Sequence, residues 1–276
     1  MPLITMPREM GSLGKDVAAL VAQTLGKTVV HDEIADMIAS KMRLRKSHVV
    51  RFLEGRAGMW EQLTTDQTKF SIHTADEIFR VAEDGNVAVI RGWGATHLLD
   101  AVPHIARVRV CAPFELRVTR MMHRLGTDDQ SFVEEEIRLA DEALGAITRR
   151  HFNVNWRDAE NYDLILNTAR LSVEKCADAI LNLMKDSRFH ETEDSKRALR
   201  ELAIAAHVRT ALRNDARTVK LDITIAADRG RVILSGMGES EAQAKAAAEI
   251  AIKVPRVSCV TNELKLMTRS NWRYVR

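Results

Sequence analysis

Short apolar runs alternate with longer amphipathic stretches through the first 185 residues. The first run, Leu3 to Met6, leads through a glycine-bearing turn into a helical pattern from Val17 to Leu25, which predicts a strand followed by a helix. A second short strand is expected at Thr28 to Val30, with helices at Glu33 to Met42 and about Lys46 to Leu53. Asn86 to Ile90 is a β-branched run too short for a helix and bounded by Gly85 and Gly92, as expected of a strand buried on both faces. Ile105 to Cys111 predicts another strand, before an arginine-rich helix at Phe114 to Leu125 and a long charged helix from about Phe132 to Arg150. A last strand at Tyr162 to Leu166 and a helix at Val173 to Met184 complete the set. Five strands alternating with helices predict a three-layer α/β domain with a mostly parallel five-stranded sheet over residues 1–185.

Beyond this point the order of elements changes. Asp186 to Lys196 is polar and acidic and reads as a linker, with residues 186–195 joining two domains. Leu199 to Leu212 is helical, Leu221 to Ile225 alternates in strand fashion, and Asp228-Arg229-Gly230 turns the chain into Arg231 to Leu234. A helix at Ser240 to Lys253 and a strand at Val257 to Leu266 follow. Residues 196–267 are thus expected to form a small α+β module of αββαβ order, with residues 268–276 as a basic and aromatic tail.

Composition narrows the class. With 46% hydrophobic and 29% charged residues the chain can bury a core, and no run approaches the ~20 apolar residues of a membrane helix. The first residues lack the basic-then-apolar order of a signal peptide, so the cytoplasm is the expected location. Cys111, Cys176 and Cys259 are far apart and share no ligand spacing with the nine histidines, which disfavours disulfide scaffolds and zinc ribbons. The formal charge of +3 is too mild to imply nucleic-acid binding, and no sequence-specific binding of nucleic acid is expected. The charge is unevenly placed: residues 190–276 hold 16 basic against 11 acidic residues, leaving the first 189 slightly acidic.

The chemistry concentrates in the first turn, Arg8-Glu9-Met10-Gly11-Ser12-Leu13-Gly14-Lys15-Asp16. Free backbone N–H groups and the helix dipole at such a strand-to-helix turn favour a bound phosphate. Gly11 and Gly14 permit close backbone approach, and Lys15 would place a cation beside the phosphates. Against the pattern G-x-x-x-x-G-K-[ST], the first glycine falls on Glu9 and the final Ser or Thr on Asp16, so the match is partial, and a tight turn with a solvated lysine is the alternative. Arg117, Arg120 and Arg124 are spaced by three and four residues, which sets them near one face of their helix, either as a phosphate-gripping group or as a solvated basic face.

Residues 1–185 resemble the cytidylate kinase-like family of P-loop nucleoside monophosphate kinases through Pro7 to Lys15, Asn86 to Gly94 and Tyr162 to Thr168. Residues of about 196–267 resemble the BON domain, chiefly through Asp228 to Gly236. The first resemblance implies a kinase that holds ATP phosphates on Gly11, Ser12, Leu13, Gly14, Lys15 and Asp16, with Arg117 beside them. Arg120 and Arg124 would close over the transferred group and Asp141 would order the lid. Mg2+ would bridge the phosphates, with Asp16 or Asp32 holding it through waters, although Asp32 equally suits a helix cap.

The acceptor site departs from the family. Where a Gly-Arg-Gly sequence ends the third strand and grips the acceptor phosphate, this chain has Gly92-Trp93-Gly94, leaving Arg91 and Trp93 as substrate-binding candidates. The family's Asp-x-x-Arg appears as Asp141-Glu142-Ala143-Leu144, again without the arginine. Phosphoryl transfer from ATP to a nucleoside monophosphate, CMP-like or related, is the expected function. The alternative is a nucleotide-binding regulatory protein that signals through its BON-like module without turnover. That module carries no catalytic constellation; its expected partner is anionic lipid or another protein, and a homo-oligomer is compatible with the sequence.

Overall fold

The computed structural model describes residues 2–7, 9–53, 67–92 and 94–266. Trp93 and the tail from residue 267 lie outside them. By internal contacts the chain forms two compact units, Met1–Asp66 with Val81–Ser195, and Gln67–Arg80 with Lys196–Arg276.

The first unit is built on β1 (Leu3–Met6), β2 (Thr28–Val30), β3 (Val87–Arg91), β4 (Ile105–Cys111) and β5 (Leu164–Asn167). They form one five-stranded sheet in the order β2-β3-β1-β4-β5, parallel throughout. All residues of β1 and β3 are buried, which is why these segments read as unbroken apolar runs: a parallel strand covered on both faces has no wet side to alternate towards. Helices α1 (Gly14–Thr24), α2 (Asp32–Met42), α3 (Lys46–Leu53) and α4 (Gln67–Ala82) precede β3, and the short α5 (Ala95–Leu98) follows it. Beyond β4 come α6 (Phe114–Leu125) and α7 (Gln130–Phe152), and after β5 comes α8 (Val173–Leu183). The core joins Ile4, Val89, Ala106 and Val108 of the sheet to Val17, Ala18 and Val21 of α1 and to Cys176, Ala177 and Ile180 of α8. The central strand β1 has β3 on one side and β4 on the other, so connections leaving its carboxyl end diverge and open a crevice there, the usual ligand position in such sheets.

The second unit holds α9 (Glu193–Asn214), β6 (Ile223–Asp228), β7 (Arg231–Gly238), α10 (Glu241–Ala251) and β8 (Cys259–Leu266). β6 and β7 pair antiparallel and β7 and β8 parallel. Arg229 and Gly230 both have positive φ, 47° and 81°, the geometry of a two-residue hairpin turn matched to strand twist. Val208, Val232, Leu234 and Ala247 are fully buried between sheet and helices.

Beyond shifts of a few residues in strand bounds, two features differ from the expectation. The first is α4, which no sequence pattern predicted and whose first fourteen residues cluster with the second unit rather than within residues 1–185. It buries His73, Thr74, Asp76 and Glu77 beside Phe70, Ile78 and Phe79, so its inward face is not read as apolar. His73 Nε2 meets Asn214 Oδ1 at 3.3 Å and Asp76 pairs with His207, so polar contacts tie α4 to α9. The second is the acidic linker, which contains a 3-10 turn at Ser187–Phe189 and the first residues of α9.

Candidate phosphate-binding site

The turn after β1 is held open by its own backbone. Glu9 O accepts from Ser12 N at 3.2 Å and from Ser12 Oγ at 2.7 Å, and Gly14 N donates to Ser12 Oγ at 3.3 Å. Gly11 has φ +76°, and a Cβ there would sit 2.7 Å from the carbonyl oxygen of Arg117. Leu13 caps α1 at φ 63°, a left-handed conformation that costs a residue with a side chain about 1–2 kcal/mol. Strain of this kind is characteristic of ligand-holding loops. Its carbonyl accepts from Asp16 N and Val17 N, both at 3.0 Å. The amides of Ser12, Gly14 and Asp16 are therefore engaged, while among the described residues those of Gly11, Leu13 and Lys15 have no acceptor.

Gly11, Leu13 and Lys15 line a cavity of about 1020 Å3, together with the rest of the turn, His31 and Glu33 after β2, Arg91 at the end of β3 and Thr119, Arg120 and Arg124 of α6. Lys15, Asp16 and Arg124 are exposed, and neither Lys15 nor Arg124 has an ion pair among the described residues. His31 Nδ1 lies 2.8 Å from the Arg91 carbonyl, which can only accept, so Nδ1 carries the proton of that contact. The amide of His31 donates to Glu33 Oε2 at 2.9 Å.

Behind the turn lies a buried charge network. Arg117, only 4% exposed, makes a two-pronged contact to Asp141, Nη1 to Oδ2 at 2.9 Å and Nη2 to Oδ1 at 2.8 Å. Its Nε donates to Met10 O at 2.6 Å, and Nη1 lies 3.5 Å from Glu9 Oε1. Arg109 reaches Glu9 Oε2 at 3.1 Å and stacks over the buried Trp156 at 4.7 Å, while Arg157 reaches Asp141 Oδ2 at 3.1 Å. Burial pushes the Glu9 carboxyl up from its ordinary 4.5, against the opposing pull of Arg109 and Arg117. Burial likewise pushes the Tyr162 phenol up to about 12; its hydroxyl donates to Trp156 O at 2.5 Å.

The three arginines of α6 consequently divide. Arg117 and Asp141, expected at the donor phosphate and in the lid, are bound to each other and to the back of the turn. Arg120 is also committed: Nη1 donates to Thr168 Oγ1 at 2.9 Å and to Gly11 O at 3.3 Å, and Nη2 donates to Thr168 O at 2.8 Å. Thr168 Oγ1 in turn donates to Ser12 O at 2.9 Å, so α6, β5 and the turn form one hydrogen-bonded unit. Arg124, one turn further along the helix, is exposed and has no such tie among the described residues. The reason is depth: Arg117 sits at the buried base of α6, where an unpaired guanidinium would be costly, whereas Arg124 is in its exposed last turn.

Of the acceptor candidates, Arg91 lines the cavity, while Trp93 lies outside the described residues, as does the side chain of Asp32. Asp16 lines the cavity together with Glu9 and Glu33; no cluster of three or more His, Cys, Asp or Glu of metal-binding geometry occurs among the described residues. Sequence reasoning missed Glu9, Arg109 and Thr168 as supports of the turn, and His31 and Glu33 as cavity residues. One signal was available, since Arg107 and Arg109 are charges inside an otherwise apolar strand.

Sheet order, turn and cavity together define a P-loop kinase-like protein. Residues 3–170 match the cytidylate kinase-like family, and the chain belongs to that family; residues 201–268 match the BON domain. Among solved structures, an uncharacterized protein from Eubacterium ventriosum ATCC 27560 is 18% identical, with a TM-score of 0.53 over 67% of this chain and 99% of its own. Shikimate kinase from Acinetobacter baumannii, in complex with shikimate, is 15% identical, with a TM-score of 0.43 over 69% of this chain and 96% of its own. Shikimate kinase from Bacteroides thetaiotaomicron is 16% identical, with a TM-score of 0.43 over 67% and 98%. No curated protein matches the chain. Family membership supports phosphotransfer in general. No described helix is long and apolar enough to cross a membrane.

Proposed function

We propose that the protein transfers the terminal phosphoryl group of ATP to a small acceptor, a nucleoside monophosphate or a related molecule, held in the same cavity. The observation that carries this reading is that Gly11, Leu13 and Lys15, whose amides have no acceptor among the described residues, line one cavity at the carboxyl end of β1 with Lys15 and Arg124, cations without an ion pair among those residues. Phosphoryl transfer asks a protein mainly to position reactants and to neutralise charge spread over the transferred oxygens. The amides and Lys15 would bind donor phosphate oxygens, and Arg124 would approach the transferred group. Arg117, Asp141 and Arg120 would act as positioning residues, fixing the turn so that its donors point outward before the ligand arrives. Mg2+ would supply charge neutralisation between the phosphates, and Asp16 would hold it. At the β2 and β3 end, Arg91, His31 and Glu33 would contact the acceptor.

The test is a coupled assay of the full chain with Mg-ATP and a panel of nucleoside monophosphates and small phosphorylated or hydroxylated acceptors. Turnover by the wild type, abolished in Lys15→Ala with the fold intact, is the expected result; no turnover with any acceptor overturns it. One observation favours nucleotide sensing instead: α4 belongs mostly to the second unit, yet the chain runs from it directly into β3, which carries Arg91 to the cavity. Tight ATP binding without turnover, accompanied by altered hydrogen exchange in α4, would select that reading.

A further inference from the structure

In the three-stranded sheet of the second unit β7 lies in the middle, so β6 and β8 are its edges. An edge strand presents a row of backbone N–H and C=O groups with which another chain can pair, and proteins usually blunt it by shortness, a bulge, proline or repelling charge. The β6 edge is short, and its first carbonyl, Ile223 O, accepts from Arg209 Nη1 at 3.1 Å. β8 is different. Its eight residues run in unbroken register with Arg231–Gly238, without a bulge, glycine or proline. Away from that ladder, the one hydrogen bond of its backbone among the described residues is from Leu264 N to Asn262 Oδ1, at 3.2 Å.

The side chains of β8 are complementary to themselves. Glu263 and Lys265 are exposed and, being two residues apart, lie on one face of the strand. Lys265 makes no ion pair among the described residues, and Glu263 accepts only from Ser235 Oγ, at 3.2 Å. Two copies of β8 laid antiparallel with Leu264 opposite Leu264 set Glu263 of each against Lys265 of the other, which gives two opposite-charge pairs about a two-fold axis. Neighbouring registers lose this match. Centred on Glu263, the pairing would set that carboxylate against itself; centred on Lys265, it would oppose two ammonium groups; centred on Asn262, it would place Glu263 opposite Thr261. On the other face the favoured register brings the two Leu264 side chains together, with Leu266, 44% exposed, diagonal to them. Apolar surface that is now wet would be covered by the same register that matches the charges.

We propose that β8 is a self-association surface: two copies of the chain pair antiparallel through this strand, centred on Leu264, and join their three-stranded sheets into one continuous sheet. The partner is therefore a second copy of this chain. All of these residues belong to the second unit, and phosphotransfer by the first does not enter.

Sedimentation velocity of the full chain over a concentration series, up to about 100 μM, reads the monomer–dimer equilibrium. Wild type should form a dimer with rising concentration. Glu263→Lys and Lys265→Glu each set like charges opposite one another in both pairs and should weaken association about tenfold or more. Mixing these two variants in equal amounts puts all the positive charge of the pairs on one chain and all the negative on the other, and should recover a dimer at least as tight as that of wild type. The doubly exchanged variant, Glu263→Lys with Lys265→Glu, should dimerise like wild type by itself. Both positions are exposed, so each variant should fold, and far-UV circular dichroism checks this. A wild type that stays monomeric throughout overturns the proposal. A dimer indifferent to both single variants places the interface elsewhere and overturns it too, as does a dimer lost in the folded single variants but not recovered on mixing.

Discussion

Replacing Arg117 by Met is the sharpest perturbation of the network behind the turn. The substitution keeps much of the side-chain volume but removes both prongs on Asp141 and the donor to Met10 O. Removing one partner of a buried pair typically costs about 3–5 kcal/mol, because the other charge stays buried without compensation. Here Asp141 keeps Arg157 at 3.1 Å, but that side chain is 58% exposed and its contact is screened. The lower end of the range, about 3 kcal/mol, is therefore expected. For a unit of this size that corresponds to a drop of about 6–12 °C in its melting temperature. Urea unfolding followed by tryptophan emission, with Trp156 buried beside the network, measures the loss. Asp141→Leu should be similarly damaging, and the double variant should fall short of the sum of the two by at least about 1 kcal/mol, since each single change strands the other's charge. An Arg117→Met protein within about 1 kcal/mol of wild type, or an additive double variant, would refute the claim that this pair fixes the turn.

Other expectations follow from the same geometry. Gly11→Ala should destabilise more than Gly26→Ala: both residues have positive φ, but the new Cβ meets Arg117 backbone at 2.7 Å in the first case and nothing within 4 Å in the second, and chemical denaturation ranks them. Arg124→Ala should leave stability within about 0.5 kcal/mol while lowering affinity for ATP, whereas Arg120→Ala should cost about 1–3 kcal/mol by stripping donors from Thr168 and Gly11; thermal melts with and without nucleotide distinguish them. Glu9 should titrate above 4.5 in the folded state. The native protein then binds its proton before the unfolded chain does, so this group's contribution to stability falls as pH rises through the interval from 4.5 to its folded value and is most favourable below it. Carboxyl NMR of Glu9 checks the midpoint, and a value at or below 4.5 would contradict the dominance of burial over Arg109 and Arg117.

Much of the first unit was legible because buried parallel strands leave unbroken apolar runs: β1, β2 and β4 have the bounds their residues predicted. The edge strand β5 was displaced, beginning at Leu164 rather than Tyr162, because Tyr162 and Asp163 are apolar and polar lead-in residues held by contacts to Trp156 and Arg107. Helix α4 was illegible for the opposite reason: its buried positions include His73, Asp76 and Glu77, and the partners of His73 and Asp76 come from a distant part of the chain. At the site, the turn was readable from glycines and a lysine, which are local signals. The division of labour among Arg117, Arg120 and Arg124 was not, since helical spacing places all three near one face but says nothing of depth along it. That depth is fixed by Asp141 and Thr168, 24 and 48 residues away.

The central claim is that the amides of Gly11, Leu13 and Lys15 await phosphate oxygens. Backbone amide NMR of the full chain during titration with Mg-ATP addresses it directly. Saturable downfield shifts at these three amides, absent in Lys15→Ala, are the predicted result; a saturating titration that leaves them unmoved, with the shifts confined to other residues, would contradict it.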